Sequence, residues 1–408
     1  MKPNFSFFLT GAFFCISLFA SGQPPTTLNG QPVGVVNSAV PFLNFTPDAR
    51  SAALGDAGVA LRDADANAIF WNPSKLVYAK DPAGASVSYT PWLSNLVNDM
   101  YFTNLSAYKK IGKDQALGVS LLYFDLGTID FTNNQGVSIG TFNSREYALT
   151  ASYSRRLFKN FSMGVNVKYV NSNLAAGSSG TGGSGTIKPG GTAAADIGAY
   201  YQNQVRDDVS GRGIGWTYGL MISNIGGKIN YGSEQQYHIP TNLRLGGGLT
   251  YYIDQSSKFN FILDFNKLMV PTPPIMGTQS GVPFIVAGKD PDRAGAVLGS
   301  FADAPGGFSE ELKEISISTG AEYWYNDQFA ARVGYFNESR DKGNRKYFTA
   351  GLGIHLQQRF GVDFAYLLPM NSQSPLANTF RLSLVLKFDG SKRNSEVDEP
   401  VESEETTN

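Results

Sequence analysis

Apolar side chains alternate with small or polar ones in segment after segment of this chain. Ile214, Trp216, Tyr218, Leu220 and Ile222 fall on one face, and Gly215, Thr217, Gly219 and Ser223 on the other. Leu243, Leu245, Leu249 and Tyr251 alternate with Asn242, Arg244, Gly246, Gly248 and Thr250, and Phe380, Leu382, Leu384, Leu386 and Phe388 alternate with Arg381, Ser383 and Lys387. A period of two belongs to an extended strand with unlike faces. Runs of roughly 9–11 residues match a tilted strand crossing a bilayer. In a soluble sandwich the apolar face would turn to a core, so alternation by itself leaves that architecture open.

The rest of the sequence narrows the choice. Met1-Lys2 precedes an apolar run from Phe5 to Ala20, and Ala20-Ser21-Gly22 lead into Gln23, which reads as a secretory signal peptide cut after Gly22. The only cysteine, Cys15, lies in the segment to be removed. A lipid-anchored cysteine, disulfides, zinc thiolates and cysteine catalysis are thereby excluded. Charged residues make up 16% of the chain, with 45 glycines and 48 Phe plus Tyr, against roughly 25% charge in ordinary soluble domains. No later stretch reads as a membrane helix, so an exported chain of this composition is expected to cross as a closed barrel. Without residues 1–22 it would hold 32 basic and 34 acidic residues, a balance that argues against nucleic acid.

Counting alternating segments predicts a transmembrane antiparallel β-barrel of about fourteen strands, beginning near residues 84, 101, 115, 144, 160, 193, 214, 241, 259, 312, 328, 346, 359 and 379. Short linkers at 110–114, 156–159, 254–257, 326–327 and 357–358 alternate with long ones at 171–192, 224–240 and 267–311. Short periplasmic turns and long outer loops are the asymmetry of outer-membrane barrels. The expected division is residues 1–22 as signal peptide, 23–83 as N-terminal segment and plug, 84–388 as barrel, and 389–408 as a disordered periplasmic tail whose acids cluster without aromatics.

Parity within each strand puts Glu146, Asp196, Asp264, Glu322 and Asp363 in the lumen with Lys168, Arg244, Arg332, Arg359, Arg381 and Lys387. Five acids and six bases nearly cancel, whereas a selective ion pore would show one sign in excess. The expectation is a lumen filled by ion pairs and a small helical plug; the plainer alternative is a solvated interior. On the same parity, Leu384→Arg should cost roughly 2–4 kcal/mol on the lipid face while Ser383→Arg should enter a polar lumen.

Thr46–Lys80, rich in small residues and including Ile69-Phe70-Trp71-Asn72-Pro73-Ser74, is the plug candidate. It resembles the hatch of the FadL-like barrel family, with Asn72, Pro73 and Ser74 standing for that family's Asn-Pro-Ala. The blocks Ser300 to Leu312, Arg332 to Glu338 and Gly343 to Thr349 resemble the PorV family of outer-membrane barrels of the type IX secretion system. That likeness runs from about Val40 to Phe388. It implies a barrel that receives folded C-terminal signal domains of secreted cargo from the translocon SprA and delivers them to the cell-surface sortase PorU, in contact with outer-membrane lipid.

The loop Met269–Glu311 is expected to carry that recognition, because so long a loop in a compact barrel is functional or disordered and this one is apolar. Met269, Ile275, Phe284, Phe301, Asp303 and Phe308 are the candidate partner-binding residues; a lid packed on neighbouring loops is the alternative. Asp63-Ala64-Asp65-Ala66-Asn67 begins like a calcium loop, but Ala68 and Ser74 stand where glycine and glutamate are required, so no metal is expected. His238 and His355 lack a placeable catalytic partner, and Gly246–Gly248 lie in a strand and do not open a helix. No catalytic residue and no cofactor are expected, and the chain does not read as an enzyme. Two other functions stay open: a FadL-like channel for hydrophobic molecules, and a lipopolysaccharide-modifying enzyme.

Overall fold

The computed structural model describes residues 36–388 apart from 95, 134, 175–187, 233–234, 280–281, 290–294, 296, 357–358, 371–375 and 377–378. The signal peptide and the acidic tail read from the sequence lie outside the described residues. The strands in chain order are β1 (Ala83–Pro91), β2 (Tyr101–Ile111), β3 (Gln115–Thr132), β4 (Ser138–Phe158), β5 (Phe161–Asn173), β6 (Gly190–Arg206), β7 (Gly213–Gly226), β8 (Ile229–Asn230), β9 (Gln236–Tyr237), β10 (Asn242–Tyr252), β11 (Ser257–Leu268), β12 (Ile275–Gln279), β13 (Val282–Ala287), β14 (Ile315–Tyr325), β15 (Phe329–Asn337), β16 (Lys346–Leu356), β17 (Phe360–Pro369) and β18 (Phe380–Phe388). Two short ribbons, β8 with β9 and β12 with β13, decorate loops; the other fourteen strands close one antiparallel barrel. β1 pairs with β18, Ala83 opposite Phe388 through Tyr89 opposite Leu382. That seam leaves no strand edge unpaired in lipid.

The alternating apolar set of the strands faces out, while Phe102, Leu122, Phe124 and Met221 turn in and pack against the plug. Leu382 and Leu384 are exposed on the wall, while Arg381, Ser383 and Val385 between them are buried. Tyr89, Tyr101 and Tyr123 stand in a row across β1, β2 and β3, with ring centroids 5.8 and 6.1 Å apart. Such amphipathic rings suit the interface between hydrocarbon and headgroups. The strand starts read from alternation hold, with two differences. β4 begins earlier, in a hairpin with β3 that extends past the wall. Before β14, residues Phe308–Lys313 form a short helix; it opens at Gly307 with φ 68° and carries Glu310 and Glu311 in its first turn, where the helix dipole favours acids.

Residues 36–80 run through the lumen. α1 (Ala49–Ala52) is capped by Asp48, which accepts from Ser51 N, and α2 (Ala68–Trp71) gives way to a 3-10 segment, Pro73–Tyr78, capped by the Asn72 side chain; the helix at Phe308–Lys313 is α3. Asp48 also accepts from Trp71 Nε1 at 2.7 Å, tying α1 to α2. The wall makes room by omitting side chains. A Cβ on Gly164 would stand 2.6 Å from Ser74 N, and one on Gly334 would overlap the Leu54–Gly55 peptide. At the long-loop end Phe45 stacks on Trp92, centroids 4.1 Å apart, and Ala39 N donates to His238 O. At the short-turn end Lys80 Nζ reaches Asp327 at 2.9 Å.

One inward assignment and one expectation built on another need correction. Arg359 lies exposed in the turn between β16 and β17, because the strand ends before the parity rule reaches it. Ser383 does face inward, but its Oγ accepts from Ala49 N at 2.8 Å and lies 2.7 Å from Ser88 Oγ. Arginine there would meet the plug and not an open polar lumen.

Candidate functional site

Of the lumen charges expected from parity, Asp264, Glu322, Arg332, Asp363 and Arg381 have partners fixed by register and by the plug. Glu322 on β14 stands opposite Arg332 on β15 and opposite Asn260 on β11. Its carboxylate takes Arg332 Nε at 2.6 Å, Arg50 Nη2 of α1 at 2.8 Å and Asn260 Nδ2 at 2.8 Å. Arg332 continues to Asp363 Oδ1 at 2.6 Å. Asp264 accepts the plug's Gly58 and Val59 N–H groups at 2.7 and 2.9 Å. Arg381 reaches Asp56 at 3.3 Å, and Asp56 also takes the Tyr347 hydroxyl. Arg244 on β10 is the exception. Its guanidinium lies over Phe70 and Trp71 at 4.9 and 5.1 Å; among the described residues it has a 3.5 Å contact to Asn44 Oδ1 and leaves Nη1 with no partner.

Parity in the wall could not supply Arg50, Asp56 or Asp63, which come from the plug. Their signal was present in the sequence as isolated charges among small residues. Asp63, in the stretch resembling a calcium loop, pairs with Lys258 at 2.7 Å. In the Asn-Pro-Ser motif, Asn72 Nδ2 donates to Ala199 O at 2.9 Å and its Oδ1 takes the Ser74 hydroxyl. Ser74 O accepts from Ser162 Oγ at 2.6 Å. Pro73 begins the 3-10 turn, where a missing N–H costs nothing. The motif therefore fastens the plug to β5 and β6.

The cap between β11 and β14 is pinned by a second charge cluster. Lys267 Nζ lies 2.9 Å from Glu311 and 2.5 Å from Glu314. Lys342 reaches Glu314 at 3.0 Å and Glu310 at 2.6 Å, and Thr272 Oγ1 donates to Glu314 at 2.7 Å. Burial raises the Glu311 carboxyl, but the Ala304 and Asp303 N–H groups and Lys267 outweigh it and hold the group below its ordinary pKa. Of the residues expected to meet a partner, Met269 and Asp303 are buried. Met269 N donates to Thr241 O and Asp303 N to Glu311, so both anchor the cap and neither is presented. Ile275, Phe301 and Phe308 are exposed, and so are Leu298 and Leu312; Leu298 is at 76% and Phe308 at 77%. Phe284 lies in β13, and its side chain is outside the described residues.

Beneath the cap is a vestibule of about 400 Å³, lined among others by Asn44, Phe45, Trp71, Asn242, Arg244 and Phe336. A polar cavity of about 390 Å³ at the short-turn end is lined by Arg62, Asp63, Lys80, Gln204, Lys258 and Asp327. The plug stands between them.

A closed wall with lipid-facing alternate side chains and a lumen filled by its own N-terminal segment defines an outer-membrane β-barrel protein, located in the bacterial outer membrane. Within that class the chain belongs to the PorV family: the model of type IX secretion system protein PorV matches residues 29–275. Solved structures to which it is similar include the Ralstonia pickettii toluene transporter TbuX, at 14% identity over 85% of this chain and 99% of that one, with a TM-score of 0.46. The Pseudomonas putida toluene transporter TodX follows at 13% identity, 84% and 97% coverage and a TM-score of 0.46. A Pseudomonas aeruginosa FadL homologue matches at 13% identity, 87% and 100% coverage and a TM-score of 0.41. No curated protein matches the sequence.

Proposed function

We propose that this barrel acts without catalysis, as the outer-membrane station of type IX secretion that takes cargo C-terminal signal domains from the translocon SprA and passes them to the sortase PorU. Membership of the PorV family supports a place in that system. The single observation carrying the docking role is the cap: Leu298, Phe301, Phe308 and Leu312 are exposed on a loop whose base is held by the Lys267, Glu311, Glu314 and Lys342 cluster. Large apolar side chains held outward on a rigid base suit contact with another protein. The filled lumen weighs against a through-channel for hydrophobic molecules.

Replacing residues 272–298 by a linker would remove Thr272 and leave Glu314 short of a donor. Leu298→Asp with Phe308→Asp is the cleaner test. The doubly substituted barrel should insert and remain heat-modifiable on a gel, yet fail to copurify cargo signal domains. Copurification at the wild-type level from such membranes would refute cap docking.

A further inference from the structure

The vestibule floor holds a cation that no acid reaches in an ion pair among the described residues. Arg244 is 4% exposed and has no carboxylate in salt-bridge range among the described residues. Buried charges are ordinarily paired, because an isolated one loses its hydration without return. Each acid lining the same vestibule is already engaged: Asp56 by Arg381 and Tyr347, Glu314 by Lys267 and Lys342, and Glu338 by both arms of Arg345 at 2.8 Å. No acid of the vestibule lining is therefore left free to pair with Arg244.

A second unsatisfied group lies beside it. Asn242, two residues earlier on the same inward face of β10, is buried with its Oδ1 unpartnered. A free guanidinium N–H next to a free carbonyl oxygen calls for a ligand with an anion close to an N–H donor. The end of a polypeptide has that pair, its terminal carboxylate being separated by one Cα from the last peptide N–H. A volume of about 400 Å³ admits a few residues, and Phe45, Trp71 and Phe336 give apolar stems something to pack on.

We propose that the outer vestibule is a carboxylate-binding site, with Arg244 taking the carboxylate and Asn242 an adjoining N–H, and that its ligand is the free C-terminus of a peptide. The site does not depend on cap docking, which uses other residues.

The test uses the full-length barrel in detergent and fluorescein-Gly-Gly-Val-Phe-Leu as free acid and as C-terminal amide, read by fluorescence anisotropy. The free acid should bind roughly tenfold to a hundredfold more tightly than the amide, the range of one charge-assisted hydrogen bond. Arg244→Met should abolish that preference while the barrel stays heat-modifiable. Asn242→Ala should weaken the peptide acid but leave octanoate competition unchanged. Equal binding of acid and amide, or no binding of either, would overturn the site and leave Arg244 solvated by water. Octanoate displacing the probe as well as the unlabelled peptide acid does would assign the site to small organic acids and overturn the peptide-end form.

Discussion

The Glu322 cluster and Arg244 are both buried ionic arrangements, yet one is complete and the other is half of a pair. Around Glu322 two guanidiniums and an amide converge from α1, β15 and β11, so that both carboxylate oxygens are met by the chain itself. Around Arg244 two aromatic faces supply contact, and no carboxylate among the described residues comes within salt-bridge range. The contrast separates a charge retained to fix the plug in its barrel from one with no structural counterpart. The first should be costly to disturb, and the second should be costly to keep.

Removing the anion from the complete cluster gives the largest effect. Glu322→Gln leaves Arg50 and Arg332 facing an amide and should cost about 3–5 kcal/mol, seen as a fall in the temperature at which the folded band converts on a gel. An unchanged conversion temperature would make the cluster incidental. Leu384→Arg carries the comparison to the lipid face, where no partner is available; about 2–4 kcal/mol should be lost near the midplane. Wild-type insertion and stability would mean that the face is misassigned. Arg244→Met should run the other way, raising the stability of the unliganded barrel by roughly 1–3 kcal/mol as an unsatisfied donor is removed. A destabilised variant would show that Arg244 is satisfied after all. The smallest effect belongs to the cap. Because the Glu311 carboxyl is held below its ordinary pKa in the folded cap, its contribution is full above the unfolded value and is lost as pH falls through the folded one. Limited proteolysis should cleave the cap faster in that acid range than at neutral pH, and Glu311→Gln should make cleavage insensitive to that change.

The wall was legible because a two-sided strand in lipid obeys a simple local rule. Residues 380–388 and 214–223 reveal their faces without reference to anything distant. Pairing inside the lumen obeys no such rule. That Arg332 meets Glu322 follows from the register of β14 and β15, and that Arg50 joins them follows from the path of the plug; neither is visible in strand parity. The near cancellation of wall charges therefore concealed Arg244. The same missing information made Ser383 look like an open site when Ala49 N already occupies it. In the cap, composition pointed to an apolar surface but could not separate Met269, turned under, from Phe308, turned out. That choice is made by the Lys267 cluster, which joins Lys267 and Lys342 to the acids at 310–314 across dozens of residues.

The course of residues 36–80 has a consequence for how the molecule is assembled. They enter the lumen at the outer mouth and leave at the inner one to become β1, the strand that closes against β18. Passing this stretch through a finished ring would be a threading step, which protein chains avoid. The wall must instead curl around the plug while the seam between β1 and β18 is still open. The plug is then a mandrel on which the sheet is wound, and Gly164 and Gly334 are the notches that let the sheet lie flush. A side chain at either position would obstruct the winding before it disturbed the finished barrel, so its first symptom should be slow or failed insertion, ahead of any loss of stability in the molecules that do close.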